Sequence, residues 1–100
     1  MKVPKEVQIG KTNYRVHNKT GFGSSPVVGQ IDYALRTILL ASHGGVTKKK
    51  RTPAQLQNTF WHEVTHGILK DMESPLEANE KFVGALSLRI AKVVRQLEAP

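Results

Sequence analysis

One hundred residues carry 15 Lys and Arg against 8 Asp and Glu, a formal net charge of +7, and no cysteine. A chain of this length makes one domain, and 39% hydrophobic with 23% charged residues excludes wholesale disorder. Without cysteine there is no disulfide scaffold, Cys-based zinc finger, iron–sulfur cluster or cysteine nucleophile, so any metal must be held by His and carboxylate.

The first residues, Met1 to Glu6, include basic side chains but no apolar core behind them, unlike a signal peptide. Glu6-Val7-Gln8-Ile9 alternates polar and apolar, Gly10–Asn13 reads as a turn, and Tyr14-Arg15-Val16-His17 alternates again, which predicts a hairpin. Thr20 to Pro26 is rich in Gly and Ser and reads as a loop. Val27–Asp32 and Arg36–Ala41 read as two further strands around Tyr33-Ala34-Leu35, the second compatible also with a short helix. The longest apolar run, Ile38–Ala41, is far short of the roughly 20 residues that span a bilayer. The expectation is a soluble, cytoplasmic protein with no membrane partner.

The second half changes period. Thr52 is an N-cap candidate and Pro53 suits the first helical position, where its missing N–H costs nothing. A helical pattern runs from Ala54 to about Met72, Glu73-Ser74-Pro75 stops it, and a second helix opens at Ser74 or Pro75 and runs to about Leu97. The predicted division is sheet and loops over 1–51, one helix over 52–73 and another over 75–98. Strands followed by helices predict an α+β domain: a small antiparallel sheet of three to four strands packed with two long C-terminal helices.

His62-Glu63-Val64-Thr65-His66 reads H-E-x-x-H inside the first helix. Residues i and i+4 lie one above the other on a helix, so both imidazoles can point at one ion. Tetrahedral zinc accepts imidazole nitrogens at about 2.0–2.1 Å. Glu63 lies beside the pair, where a general base reaches a water on the metal without ligating it. A catalytic zinc also needs a third protein ligand. Leu69 and Met72 stand where a metzincin continuation needs Gly and His, so the ligand falls to a following glutamate: Glu73, Glu77 or Glu80.

Helix geometry ranks them. Leu86, Ile90, Val93 and Leu97, with Asn79, Phe82 and Val83, form one apolar stripe expected to pack. Glu80 falls about 100° from its centre, Glu77 about 160°, and Glu73 lies in the turn. Glu80 is the preferred ligand, with Glu77 in reserve. On the first helix Leu56, Phe60, Val64 and Gly67 share one side, extended by Trp61, Ile68 and Met72, while His62, His66 and Leu69 occupy much of the other. A helix covered on both sides is sandwiched, which places the metal between the helices; Gly67 would let those helices approach closely.

Thr59 to Leu69 together with Asn79 to Leu86 resembles small phage- and prophage-encoded zincin-like proteins, which look like minimal relatives of the ImmA/IrrE-type metallopeptidases. Gly29–Asp32 and Ile38–Leu40 resemble the strands that precede the motif in such proteins. The resemblance implies a gluzincin-type core, with His62 and His66 as zinc ligands, Glu63 as base and Glu80 as third ligand. One departure keeps Glu77 open: the family pattern Glu-Ala-Asn-x-Phe-Ala is matched by Glu77-Ala78-Asn79, but Phe82 and Val83 come one residue late.

The function expected is zinc-dependent hydrolysis of a protein or peptide substrate, with His43, Tyr33 or His17 as candidate oxyanion donors. A strand edge beside the helix would hold an extended peptide. Two alternatives stand beside it. One is a zincin-like binding module without activity. The other is a basic nucleic-acid-binding protein using Lys48–Arg51, although no DNA-reading motif or aromatic-interleaved basic sheet is present.

Overall fold

In the computed structural model, which describes residues 1–98, the alternating segments become four strands. β1 (Glu6–Ile9) turns through Gly10, in the left-handed region, into β2 (Thr12–Lys19). β3 (Gly29–Asp32) and β4 (Thr37–Ala41) make a second hairpin, tied where Asp32 Oδ1 accepts from the Leu35 amide at 2.8 Å. Both segments around Tyr33–Leu35 are strands; neither is a helix.

The hairpins lie in the order β1-β2-β4-β3. The sheet is mixed, not antiparallel as the sequence suggests: β2 runs parallel to β4, with Arg15 opposite Thr37 and Lys19 opposite Ala41. The long loop after β2 carries the chain past one strand position, so the return strand fills the gap. Burial explains the choice. Ile38, Leu40 and Ala41 of β4 are almost wholly shielded, so the most apolar strand takes a central place and β3 the edge.

Thr52 and Gln55 form a reciprocal capping box at the start of α1 (Pro53–Asp71), each side chain accepting from the other's backbone amide. The helix ends in a Schellman arrangement: Ser74 N donates to Leu69 O and Glu73 N to Lys70 O, with Glu73 left-handed. Phe60 and Val64 pack into the core with Ile9, Tyr14, Ile38 and Leu40. A Cβ on Gly67 would stand 2.7 Å from Ile9 Cδ1, so Gly67 brings the helix close to the sheet and not, as expected, to the other helix. Ile68 and Met72 do not extend the buried face; both are exposed.

α2 (Glu80–Glu98) begins five or six residues later than expected. Asn79 caps it, its Oδ1 accepting from Phe82 N at 3.0 Å, and Ser74–Asn79 is spent in turns. The helix packs on α1 through Val83, Ser87 and Ala91. The expected stripe is turned outward instead: apart from Val83 its bulky members stay accessible, with Val93 52% and Leu97 79% exposed. Small side chains let two helices approach where a row of leucines would hold them apart. Thus α1 lies between the sheet and α2. Among the described residues no helix is long and apolar enough to cross a membrane.

Candidate metal centre

Asn58, His62 and His66 recur every four residues on the α1 face turned to α2, and Glu80 opens α2 on the same side as Val83 and Ser87. One ligand atom each from His62, His66 and Glu80 lies within 4.8 Å of the others. His62 Nε2 stands 3.0 Å from Glu80 Oε2 and His66 Nε2 stands 2.9 Å from Glu80 Oε1. As the first residue of α2, Glu80 also carries its charge at the favourable end of the helix dipole.

The chemistry of His66 is constrained on its far side. Its Nδ1 lies 2.7 Å from the Glu77 backbone carbonyl, which can only accept, so Nδ1 carries the proton. In the neutral ring Nε2 is then a bare lone pair, facing a carboxylate oxygen at 2.9 Å. That approach requires a cation between the two atoms, either a second proton or a metal ion. Tetrahedral ligands at about 2.0–2.1 Å stand roughly 3.4 Å apart, a few tenths of an ångström more than either His–Glu80 separation.

Glu63 sits beside the cluster and only 7% of it is exposed. Burial pushes its carboxyl up to about 7; the nearby Glu80 charge adds to this and His66 opposes it. Gly29, at the start of β3, closes over it: a Cβ there would come within 2.9 Å of Glu63 Oε2 and overlap Thr59. The edge strand thus touches α1 at the proposed base.

Glu77, the reserve ligand, has its carboxylate behind His66, with Oε1 3.7 Å from Nδ1 and outside the three-residue cluster. Tyr33 Oη donates to Glu77 Oε1 at 2.5 Å and also reaches His66 O at 3.3 Å. Burial and the Glu77 contact both raise the Tyr33 phenol above its ordinary range. Glu77 therefore supports His66 from behind through its carbonyl, a partner of the kind that fixes a ligating imidazole. Glu73 lies in the turn that ends α1.

The cavity over the cluster, about 530 Å³, is lined by β3 and its lead-in and by both helices. It is not lined by any of the three candidate oxyanion donors. Tyr33 faces the Glu77 loop, His43 bonds Ser42 Oγ at 2.8 Å beside a separate glycine-rich cavity, and exposed His17 lies with Pro4 and Lys5 on β2's far end. Arg51, the end of the basic run, is engaged in structure, donating to Ala41 O, Gln55 O and Thr59 Oγ1. Two lining residues escape a reading of the motif alone. Asn58 is legible as the residue one turn before His62, whereas nothing local announces that Gly29 folds against Glu63. Compared with known proteins, the chain matches no family model, no curated protein and no solved structure.

Proposed function

We propose that this protein is a zinc-dependent hydrolase of peptide bonds, a minimal gluzincin in keeping with the resemblance at Thr59–Leu69 and Asn79–Leu86. The observation that carries the reading is His66: its Nδ1 proton is committed to the Glu77 carbonyl, so its Nε2 lone pair converges with His62 and Glu80. Two imidazoles and one carboxylate suit zinc and leave a coordination position open. When bound, zinc supplies Lewis acidity, lowering the pKa of water and polarising a carbonyl.

The chain's own residues supply the rest. Glu63, buried beside the cluster, is poised to take a proton from the attacking water and to return it to the departing amine. Gly29 and the β3 edge shield that carboxyl from bulk water. Tyr33 and Glu77 hold His66 in the orientation that presents Nε2.

The test is direct. Untagged protein is analysed for metal after incubation with zinc, and unfolded proteins such as casein are offered as substrate. One equivalent of zinc with cleavage that Glu63→Gln abolishes, zinc being retained, supports the reading. Failure to bind zinc, or equal zinc retention in His62→Ala, overturns it. Stoichiometric zinc with every substrate intact converts it to a binding module.

A further inference from the structure

The cavity over the cluster has two unlike halves. Toward α1 it presents His62, His66, Glu63 and Glu80. Away from them it is walled by Val27 and Val28 ahead of β3 and by Gly84 and Leu88 of α2.

The side-chain oxygens of the second half are already partnered. Ser87 Oγ donates to Gly84 O at 3.3 Å. Thr59 Oγ1 donates to Gln55 O at 3.1 Å and accepts from Arg51. Asn58 Oδ1 accepts from Arg95 Nη1 at 2.9 Å, which leaves only its amide N–H groups at the rim. Val27 and Leu88 meanwhile stay 47% and 41% exposed, apolar walls with nothing against them. A space of this kind favours an apolar group, because its side-chain oxygens keep their partners when water leaves.

Gly84 is part of its wall. It stands one turn after Glu80 and one turn before Leu88, on the face that lines the cavity. A Cβ built there meets no atom within 4 Å. Packing therefore does not require glycine, and glycine in a helix interior is among the poorer choices. What its missing side chain provides is room.

We infer that this half of the cavity is a side-chain subsite, that Gly84 sets its depth, and that the substrate carries a large aliphatic or aromatic residue next to the group seated at His62, His66 and Glu80. The inference rests on the zinc-hydrolase reading, and its test separates the two.

Zinc-loaded protein is titrated calorimetrically with three hydroxamates: acetohydroxamate, which has no side chain to place, and succinyl hydroxamates bearing isobutyl and benzyl groups. The isobutyl and benzyl probes are expected to bind about 10–100-fold more tightly than acetohydroxamate, the gain from burying one such side chain. Gly84→Leu is expected to bring that ratio close to one, and Gly84→Ala to an intermediate value. Thermal melts verify that each variant folds; should the leucine variant not fold, the alanine variant alone decides. A wild-type ratio near one, or a ratio unchanged in the variants, overturns the subsite while leaving the metal centre standing. No binding of any hydroxamate, with no zinc retained, overturns the hydrolase reading and the subsite with it.

Discussion

Tyr33 Oη donates to Glu77 Oε1 at 2.5 Å, and this bond anchors the loop whose backbone carbonyl holds His66. Glu77 is thereby a support and Glu80 the carboxylate that faces both histidines. The two roles separate under mutation. Glu77→Ala and Tyr33→Phe are expected to weaken zinc binding by about 10-fold, the lower end of the range for such supporting groups. Glu80→Ala removes a ligand and is expected to cost far more. Competition with a chromophoric chelator measures all three; a larger loss in Glu77→Ala than in Glu80→Ala would reverse the assignment.

Glu63 makes the metal-free protein sensitive to pH. Its carboxyl titrates near 7 when folded and near 4.5 when unfolded. Its contribution is therefore fully present below 4.5, declines as pH rises through about 7, and is gone above it. The expected loss over this window is about 3 kcal/mol at most. Urea melts of metal-free protein at pH 5 and pH 8 measure it. Glu63→Gln is expected to flatten that part of the profile and to be the more stable protein at pH 8; an unchanged slope contradicts the account.

If His62, His66 and Glu80 hold zinc as proposed, the ion joins two helices and is expected to stabilise the fold. Free zinc at 100 times its dissociation constant contributes about 2.7 kcal/mol. For a chain of this size that raises Tm by roughly 10 °C or more. A thermal scan with zinc, then with excess chelator, shows the shift; in His62→Ala it is expected to disappear. An equal shift in that variant would place the ion elsewhere.

Gly29 offers a test that avoids the ligands. Gly29→Ala forces a methyl group against Thr59 and Glu63, and is expected to destabilise by about 1–3 kcal/mol. The cause is overlap, since Gly29 is not among the residues with positive φ. A denaturant melt reads the cost, and an unchanged midpoint would mean that β3 does not close over Glu63.

Much of this was open to a reading of the residues, for identifiable reasons. Thr52, Pro53 and Gln55 announce a helix start through purely local bonds, and His62 and His66 share a face by helical repeat alone. The parallel pairing of β2 with β4 was not legible, because it depends on which strand wins the central position. The rotation of α2 was hidden by a misleading signal: Leu86, Val93 and Leu97 are the apolar choice, yet Val83, Ser87 and Ala91 make the contact. Asn79 likewise disguised the start of α2, since Glu77-Ala78 before it suits a helix equally well. Supporting contacts such as Tyr33 to Glu77 join residues 44 positions apart and leave no local trace.

α2 packs against α1 and, among the described elements, against no strand. The molecule is thus built in two tiers. Both histidines belong to the sheet-backed body, whereas the carboxylate rides on an outer layer held by the α1 seam and, at its far end, by the ion pair of Glu98 with the Met1 ammonium. Partial opening of that layer has a lower free energy than melting the sheet, so amide hydrogens of α2 exchange before those of β4. An ion held as proposed would leave by the departure of Glu80 alone, with the body intact, and while in place would fasten the outer helix to the body.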